Sequence, residues 1–278
     1  MPSSQEINKL VRESLGLPAK QESQPTVPVE GHVCDFPLWS YSKRRSSVTR
    51  LHIDYDDGSF FTLEALKGMP SVSSPGYLDV LLYFGQHDLF TQNYVEISVY
   101  RVLQHLGKDP HHSNSYRDFI RDMERNFALM IKTDRLIDPV TRERNYTTYF
   151  RIFDTMKIAK RGNGASRFYF NTIFLDSLRS GYLKRLDFDF CLHLDRNTDA
   201  LARFLYAHLL KRIGEKSVYT RRMTGFLQDI GLGHLAMLES WRRNERLKRE
   251  VFPALELIKG HAFSHYALEG GNIFFLHP

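Results

Sequence analysis

Guanidinium groups recur at one-turn spacing in two places along this chain. In the first, Arg117, Arg121 and Arg125 follow at i, i+4 and i+8, opposite Tyr116, Phe119, Ile120, Met123 and Phe127. In the second, Arg242, Arg246 and Arg249 oppose Leu247, Val251, Ala254, Leu255 and Ile258. A helix that is apolar behind and arginine-bearing in front suits a polyanion. The guanidinium fork matches phosphate oxygens and the O6 and N7 of guanine. Ser113, Asn114 and Ser115 open the earlier helix, at the end from which side chains most often reach base edges. Arg243 lies on the flank of the later helix and joins the DNA-binding set, and Lys248 points to a flank as well. Lys160, Arg161 and Arg167 surround a glycine-rich turn, Arg161-Gly162-Asn163-Gly164, where they could touch phosphate or serve an ordinary soluble turn. Asp118, Asp122 and Glu124 lie among the first set of arginines, so a solvated helix laced with ion pairs would carry the same pattern.

Other chemistry fits the residues poorly. His193-Leu194-Asp195-Arg196 matches the H-x-x-R of tyrosine recombinases, and Leu232-Gly233-His234 superficially continues it. That reaction needs a tyrosine nucleophile soon after the second histidine. Here the next aromatic residue is Trp241 and the next tyrosine is Tyr266. His111-His112 sits in a Pro- and Ser-rich loop without a carboxylate cluster for metal-assisted hydrolysis. There is no GxxxxGK[ST] loop for a nucleotide. Cys34 and Cys191 are far apart and cannot form a zinc quartet. No catalytic residue, cofactor or metal is expected.

The chain has 278 residues, 42% of them hydrophobic, which is enough for a buried core and for one large or two ordinary domains. Lys and Arg outnumber Asp and Glu by 38 to 32, and the excess concentrates between residues 201 and 260, where Arg221 and Arg222 add to it. A local basic patch points to a polyanionic partner more strongly than the total does. The polar N-terminus, the lack of a long apolar run and the sparse cysteines predict a cytoplasmic protein that does not enter a membrane.

Residues 1–35 are expected to be a flexible tail, with a short helix or plain disorder over Ile7–Leu17 and a linker at 21–28. Strands at 51–55 and 60–63 flank the turn Asp56-Asp57-Gly58. Helices are predicted from Ser74-Pro75, over 98–106 and over 114–127. Strands follow at 129–132, 147–160 and 167–174. The order then recurs: helices over 199–213, 220–230 and 242–259, then strands at 263–268 and 273–276. His193 is expected in a strand leading into this second half. Pro253 should kink the last helix. Three helices followed by a hairpin, twice, gives an α+β chain of two tandem winged-helix domains, residues 36–180 and 181–278. In that fold the third helix enters the major groove and the wing touches the backbone.

At this level the chain resembles plasmid replication initiators of the replication initiator protein A type, and more distantly the iteron-binding initiators with two winged helices. The resemblance runs from about residue 36 to the end. It is carried by Gly68-Met69-Pro70 with Asp79-Val80-Leu81-Leu82, by Leu106-Gly107 with Ser115-Tyr116-Arg117, and by Leu186-Asp187, Leu194 and Ala202-Arg203-Phe204-Leu205-Tyr206. Its last part, Leu247-Lys248-Arg249-Glu250-Val251-Phe252-Pro253-Ala254-Leu255, is similar to a recognition helix that tolerates proline. It implies binding to repeats in double-stranded DNA at a plasmid origin, duplex opening, and recruitment of a host initiator and the replicative helicase. It also implies a homodimer that represses its own promoter and an active monomer. A winged-helix transcriptional regulator shares all these features and remains the alternative.

Overall fold

A computed structural model describes residues 25–277, apart from 32, 42–48, 87, 137–142, 145, 161–163, 180–182, 198 and 215. Ile7–Leu17 and Arg161 therefore lie outside the described residues.

Two helices are buried on nearly every side. These are α1 (Ser74–Gly85) and, far along the chain, α6 (Ala200–Ile213). A helix buried on nearly every side belongs in a core, and each of these opens one repeat of the same plan. In the first repeat α1 leads to β4 (Tyr94–Ser98), α2 (Val99–His105), α3 (Ser113–Phe127), β7 (Phe153–Lys157) and β8 (Ala165–Phe170). The three strands form an antiparallel sheet ordered β4-β8-β7. In the second, α6 leads to β10 (Val218–Arg222), α7 (Met223–Asp229), the short α8 (Gly233–Ala236) and α9 (Ser240–Arg246). A π turn (Leu247–Val251) joins α9 to α10 (Phe252–Ile258), and β11 (His265–Glu269) and β12 (Asn272–Leu276) complete a sheet ordered β10-β12-β11. In both repeats the strand after the first helix pairs with the last strand. This is the tandem winged-helix architecture expected from the sequence.

Strands before α1 and strands after α3 build a second layer. Strands β2 (Arg50–Asp54), β3 (Phe60–Ala65), β5 (Leu129–Thr133) and β6 (Thr148–Phe150) form a four-stranded sheet in that order. The expected single strand over 147–160 is therefore two strands in two sheets. Phe150, Ile152 and Phe153 are all buried, which breaks the alternation of one strand and turns the chain between layers. Likewise the predicted strand at 129–132 belongs to this layer and not to the wing.

Several other expectations are corrected. The tail does not reach residue 35: β1 (Thr26–Glu30) pairs antiparallel with β9 (Leu183–Asp187), and Cys34 and Phe36 are buried. Pro28 is tolerated because β1 is an edge strand. Helix α1 begins at Ser74, and the cap position that the Ser74-Pro75 pair suggests for Ser74 belongs to Ser73, since Ser74 is buried inside the first turn. The expected start of α7 at Thr220 is strand β10. The segment 167–174 is the end of β8 followed by α4 (Thr172–Arg179), and His193 lies on α5 (Phe188–Arg196). No helix among the described residues is long and apolar enough to cross a membrane.

The two repeats share one seam. Arg203 of α6 donates two hydrogen bonds, at 2.7 and 2.6 Å, to the Asp79 carboxylate of α1, and all of it is buried. Asp195 of α5 sits beside this pair, close enough to α1 that a Cβ on Gly76 would lie 2.9 Å from its own Cβ. Phe188 stacks on Tyr83 with ring centroids 3.8 Å apart. Asp35 meets Lys211 at 2.6 Å and His208 and Arg212 at 3.2 Å. Segment 183–196, assigned by sequence to the second domain, thus packs against the first.

Candidate nucleic-acid interface

One helix of each repeat, α3 in the first and α9 with α10 in the second, carries the residues expected to meet DNA, and each is fixed by a different kind of contact. On α3, Phe119 and Met123 are buried, and Tyr116, Ile120 and Phe127 pack partly against the core. A polar stripe is buried as well. Asp122 accepts the Ser71 N–H at 2.9 Å and the Ser71 hydroxyl at 2.5 Å. The Asn126 amide donates to the Ser74 hydroxyl and to the Asp122 carbonyl. Burial pushes the Asp122 carboxyl up, against the Ser71 bonds and the charge of Arg125.

That stripe takes Arg125 out of the predicted front face. Its side chain is 13% exposed and its guanidinium lies 3.6 Å from Asp122. A buried carboxylate needs a counter-charge, and the arginine three residues on supplies it. Arg117 and Arg121 do face solvent, hydrogen-bonded to Asn114 and Asp118 on the same helix. Ser113 and Asn114 are exposed and Ser115 is half-buried at the start of the helix. Glu124 is held by Lys67 at 3.2 Å.

The base of the first wing is tied to the same helix. The Tyr116 hydroxyl donates to the Ala159 carbonyl at 3.0 Å, and the Ala159 N–H donates to the Ser166 hydroxyl at 3.0 Å. Lys160 is exposed next to them. Arg167 is pinned to Glu96 at 2.5 Å and lies over the Tyr94 ring.

The helix of the second repeat is held mainly by apolar contacts, with one polar tie from Glu256 to Tyr266. Leu247, Val251, Ala254, Leu255 and Ile258 are buried, and α9 itself buries no residue. Pro253 cannot donate a hydrogen bond to the carbonyl four residues back. The chain absorbs this with the π turn, in which the Phe252 N–H reaches the Leu247 carbonyl five residues back. The register shifts without ending the helix, so the kink expected at Pro253 is a local widening.

Its outward side is strongly basic. Arg242, Arg246 and Arg249 are 60%, 49% and 67% exposed, and Lys248 is exposed too. Arg246 and Arg249 share Glu250 at 2.5 and 3.2 Å, and their bonds hold that carboxyl below its usual range despite its partial burial. Arg242 lies 3.8 Å from Glu239. Arg243 is half-buried and, with Asn244 and Lys248, lines a groove facing the second wing at 268–272. In that wing Gly270 and Gly271 both have positive φ, as a two-residue hairpin turn of the primed type requires.

Arg221 is not part of the basic face. It pairs with Asp229 at 2.9 Å and, across the seam, with Asp56 at 2.8 Å. Three exposed residues of the second repeat were not singled out from the sequence as contacts: Met237, Trp241 and Glu245. Their signal is exposure, which spacing alone does not give.

The residues of the recombinase reading are engaged otherwise. Tyr266 sits among Phe252, Phe263 and Phe275, and burial and Glu256 push its hydroxyl up to about 12. An attacking phenolate needs the opposite shift.

Among known structures, domains 2 and 3 of RctB match with a TM-score of 0.54 at 12% identity, over 86% of this chain and 94% of that one. The chain folds as those RctB domains do. A second structure of RctB domains 2–3 aligns at a TM-score of 0.49 and 12% identity, over 87% of this chain and 95% of that one. The Pi initiator protein in complex with iteron DNA aligns at 0.49 and 10%, over 84% and 99%. No family model and no curated protein matches the sequence significantly. The likeness to RctB is one of fold, and the interface residues above are those of this chain.

Proposed function

We propose that this chain is a DNA-binding initiator of plasmid replication, engaging duplex repeats at an origin through both winged helices. One observation carries the reading. One helix of each repeat is anchored from behind and turns exposed guanidinium groups outward, Arg117 and Arg121 on α3, Arg242, Arg246 and Arg249 on the helix that starts at Ser240. The RctB-like fold and the sequence resemblance to plasmid initiators support it. Lys160 and Arg161 of the first wing would add backbone contacts, and Ser113, Asn114 and Ser115 would reach base edges. The protein's own role is binding and duplex distortion, with no bond chemistry. Recruitment of a host initiator and the replicative helicase, and a repressing homodimer, complete the proposal.

Footprinting on the DNA flanking the gene tests it. Protection of a tandem array of short direct repeats is expected. Protection of a single promoter palindrome would make the chain a transcriptional regulator. No protection of any duplex would end the DNA reading.

A further inference from the structure

The outermost line of the second recognition helix is not uniformly basic. Trp241, Glu245 and Arg249 follow one another at four-residue spacing, so they share one face. All three are exposed. The arginines around Glu245 are engaged with other carboxylates: Arg242 with Glu239, Arg246 and Arg249 with Glu250. Glu245 has no hydrogen bond or ion pair among the described residues, although cations surround it.

A carboxylate at that place is unfavourable against phosphate and favourable against one kind of base edge. The N4 amino group of cytosine is a donor in the major groove, and glutamate accepts from it. Trp241, one turn earlier, shows that this line is unsuited to water. Its side chain is 58% exposed, and neighbouring Met237 is 88% exposed. The indole is held in place by its N–H bond to Glu239 at 2.9 Å and by the Arg242 guanidinium 5.1 Å from its ring. A fixed apolar edge beside a free carboxylate, flanked by cations on both sides, matches base edges flanked by phosphates.

We infer that Glu245 is a specificity-determining residue of the second winged helix, reading a cytosine in the major groove while Arg242, Arg246 and Arg249 hold the backbone. This rests on the proposed duplex binding. It predicts that the preferred site contains one C·G pair set by Glu245. Removing the carboxylate should relax that position while binding is retained.

The test is selection of bound sequences from a randomised duplex library by the full chain, wild type against Glu245→Gln and Glu245→Ala. Glutamine pairs with adenine N6 and N7. The expected result is one position at which wild type prefers cytosine by about tenfold or more, a figure typical of a good base contact. Glu245→Gln should move that preference towards adenine, and Glu245→Ala should abolish it. An unchanged selected motif, with affinity raised equally for all sequences, would overturn the inference and leave Glu245 as a mere repulsive charge. Failure of wild type to select any duplex would overturn the DNA-binding proposal instead. Glu245 is exposed, so unaltered denaturation of both variants is expected to accompany these results.

Discussion

The two winged helices share strand order, yet their arginine-bearing helices present different faces. Helix α3 carries Arg117, Arg121 and Arg125 against Asp118, Asp122 and Glu124, so its formal charges cancel. It also uses polar residues to hold itself in place, through Asp122 and Asn126 to Ser71 and Ser74, and this draws Arg125 inward. The helix from Ser240 to Ile258 is anchored by aliphatic side chains. Its five cationic residues, Arg242, Arg243, Arg246, Lys248 and Arg249, exceed Glu245, Glu250 and Glu256. An apolar anchor leaves the polar side free for a ligand. A polar anchor consumes part of it. On the proposed function, the second unit should therefore dominate duplex affinity, with the first contributing position.

The contrast presumes that the units are held together, and the seam is where that can be broken with the largest effect. Arg203→Met leaves Asp79 buried without its partner. It should cost about 3–5 kcal/mol in denaturant unfolding. The double change Asp79→Leu with Arg203→Met should recover most of that loss, because the seam then holds no unpaired charge. If a probe in the second wing unfolded at an unchanged midpoint in Arg203→Met, the two units would be independent.

Arg125→Ala sharpens the contrast within the first helix. It should lower stability by about 1–3 kcal/mol by stripping a partner from buried Asp122. Duplex affinity should stay nearly unchanged, measured by fluorescence anisotropy. A loss of affinity without a loss of stability would return Arg125 to the DNA face.

The seam also titrates in two opposite directions. Burial, and then the charge of Asp79, push the Asp195 carboxyl well up. A raised carboxyl stabilises fully below its unfolded value near 3.9, and that contribution is lost as pH rises above it. Asp35 is the reverse. Burial raises its carboxyl, but the His208 bond and the charges of Lys211 and Arg212 outweigh that and hold it far below the usual range. Its contribution is present above about 3.9 and is lost as pH falls below that. Unfolding of Asp195→Asn at pH 4.5 and 7.5 should show the variant gaining on wild type with pH, by at most about 1.4 kcal/mol per unit. A constant difference would mean that Asp195 is ionised at both.

Much of this was legible in the sequence, and the gaps have physical causes. Helical periodicity located both arginine-bearing helices, and the glycines located the second wing and the turn at residues 56–58. The strands β4 and β10 were missed because each runs directly into a helix, and β10 buries no side chain to show an alternation. The pairing of β1 with β9 joins residues about 160 positions apart, which no local pattern encodes, and Pro25 and Pro28 imitate a linker. One-turn spacing placed Arg117, Arg121 and Arg125 together. It could not show that Asp122 between them points inward.

The salt dependence of affinity for one footprinted duplex tests the central claim most directly. Wild type is compared with Arg242→Ala/Arg246→Ala/Arg249→Ala and with Arg117→Ala/Arg121→Ala. Each arginine that holds a phosphate should lower the slope of log affinity against log salt by about 1. A fall of about 3 is predicted for the triple variant, with a smaller fall for the double. Equal slopes in all three proteins would contradict the account, and a larger fall in the double variant would reverse the order of the two units.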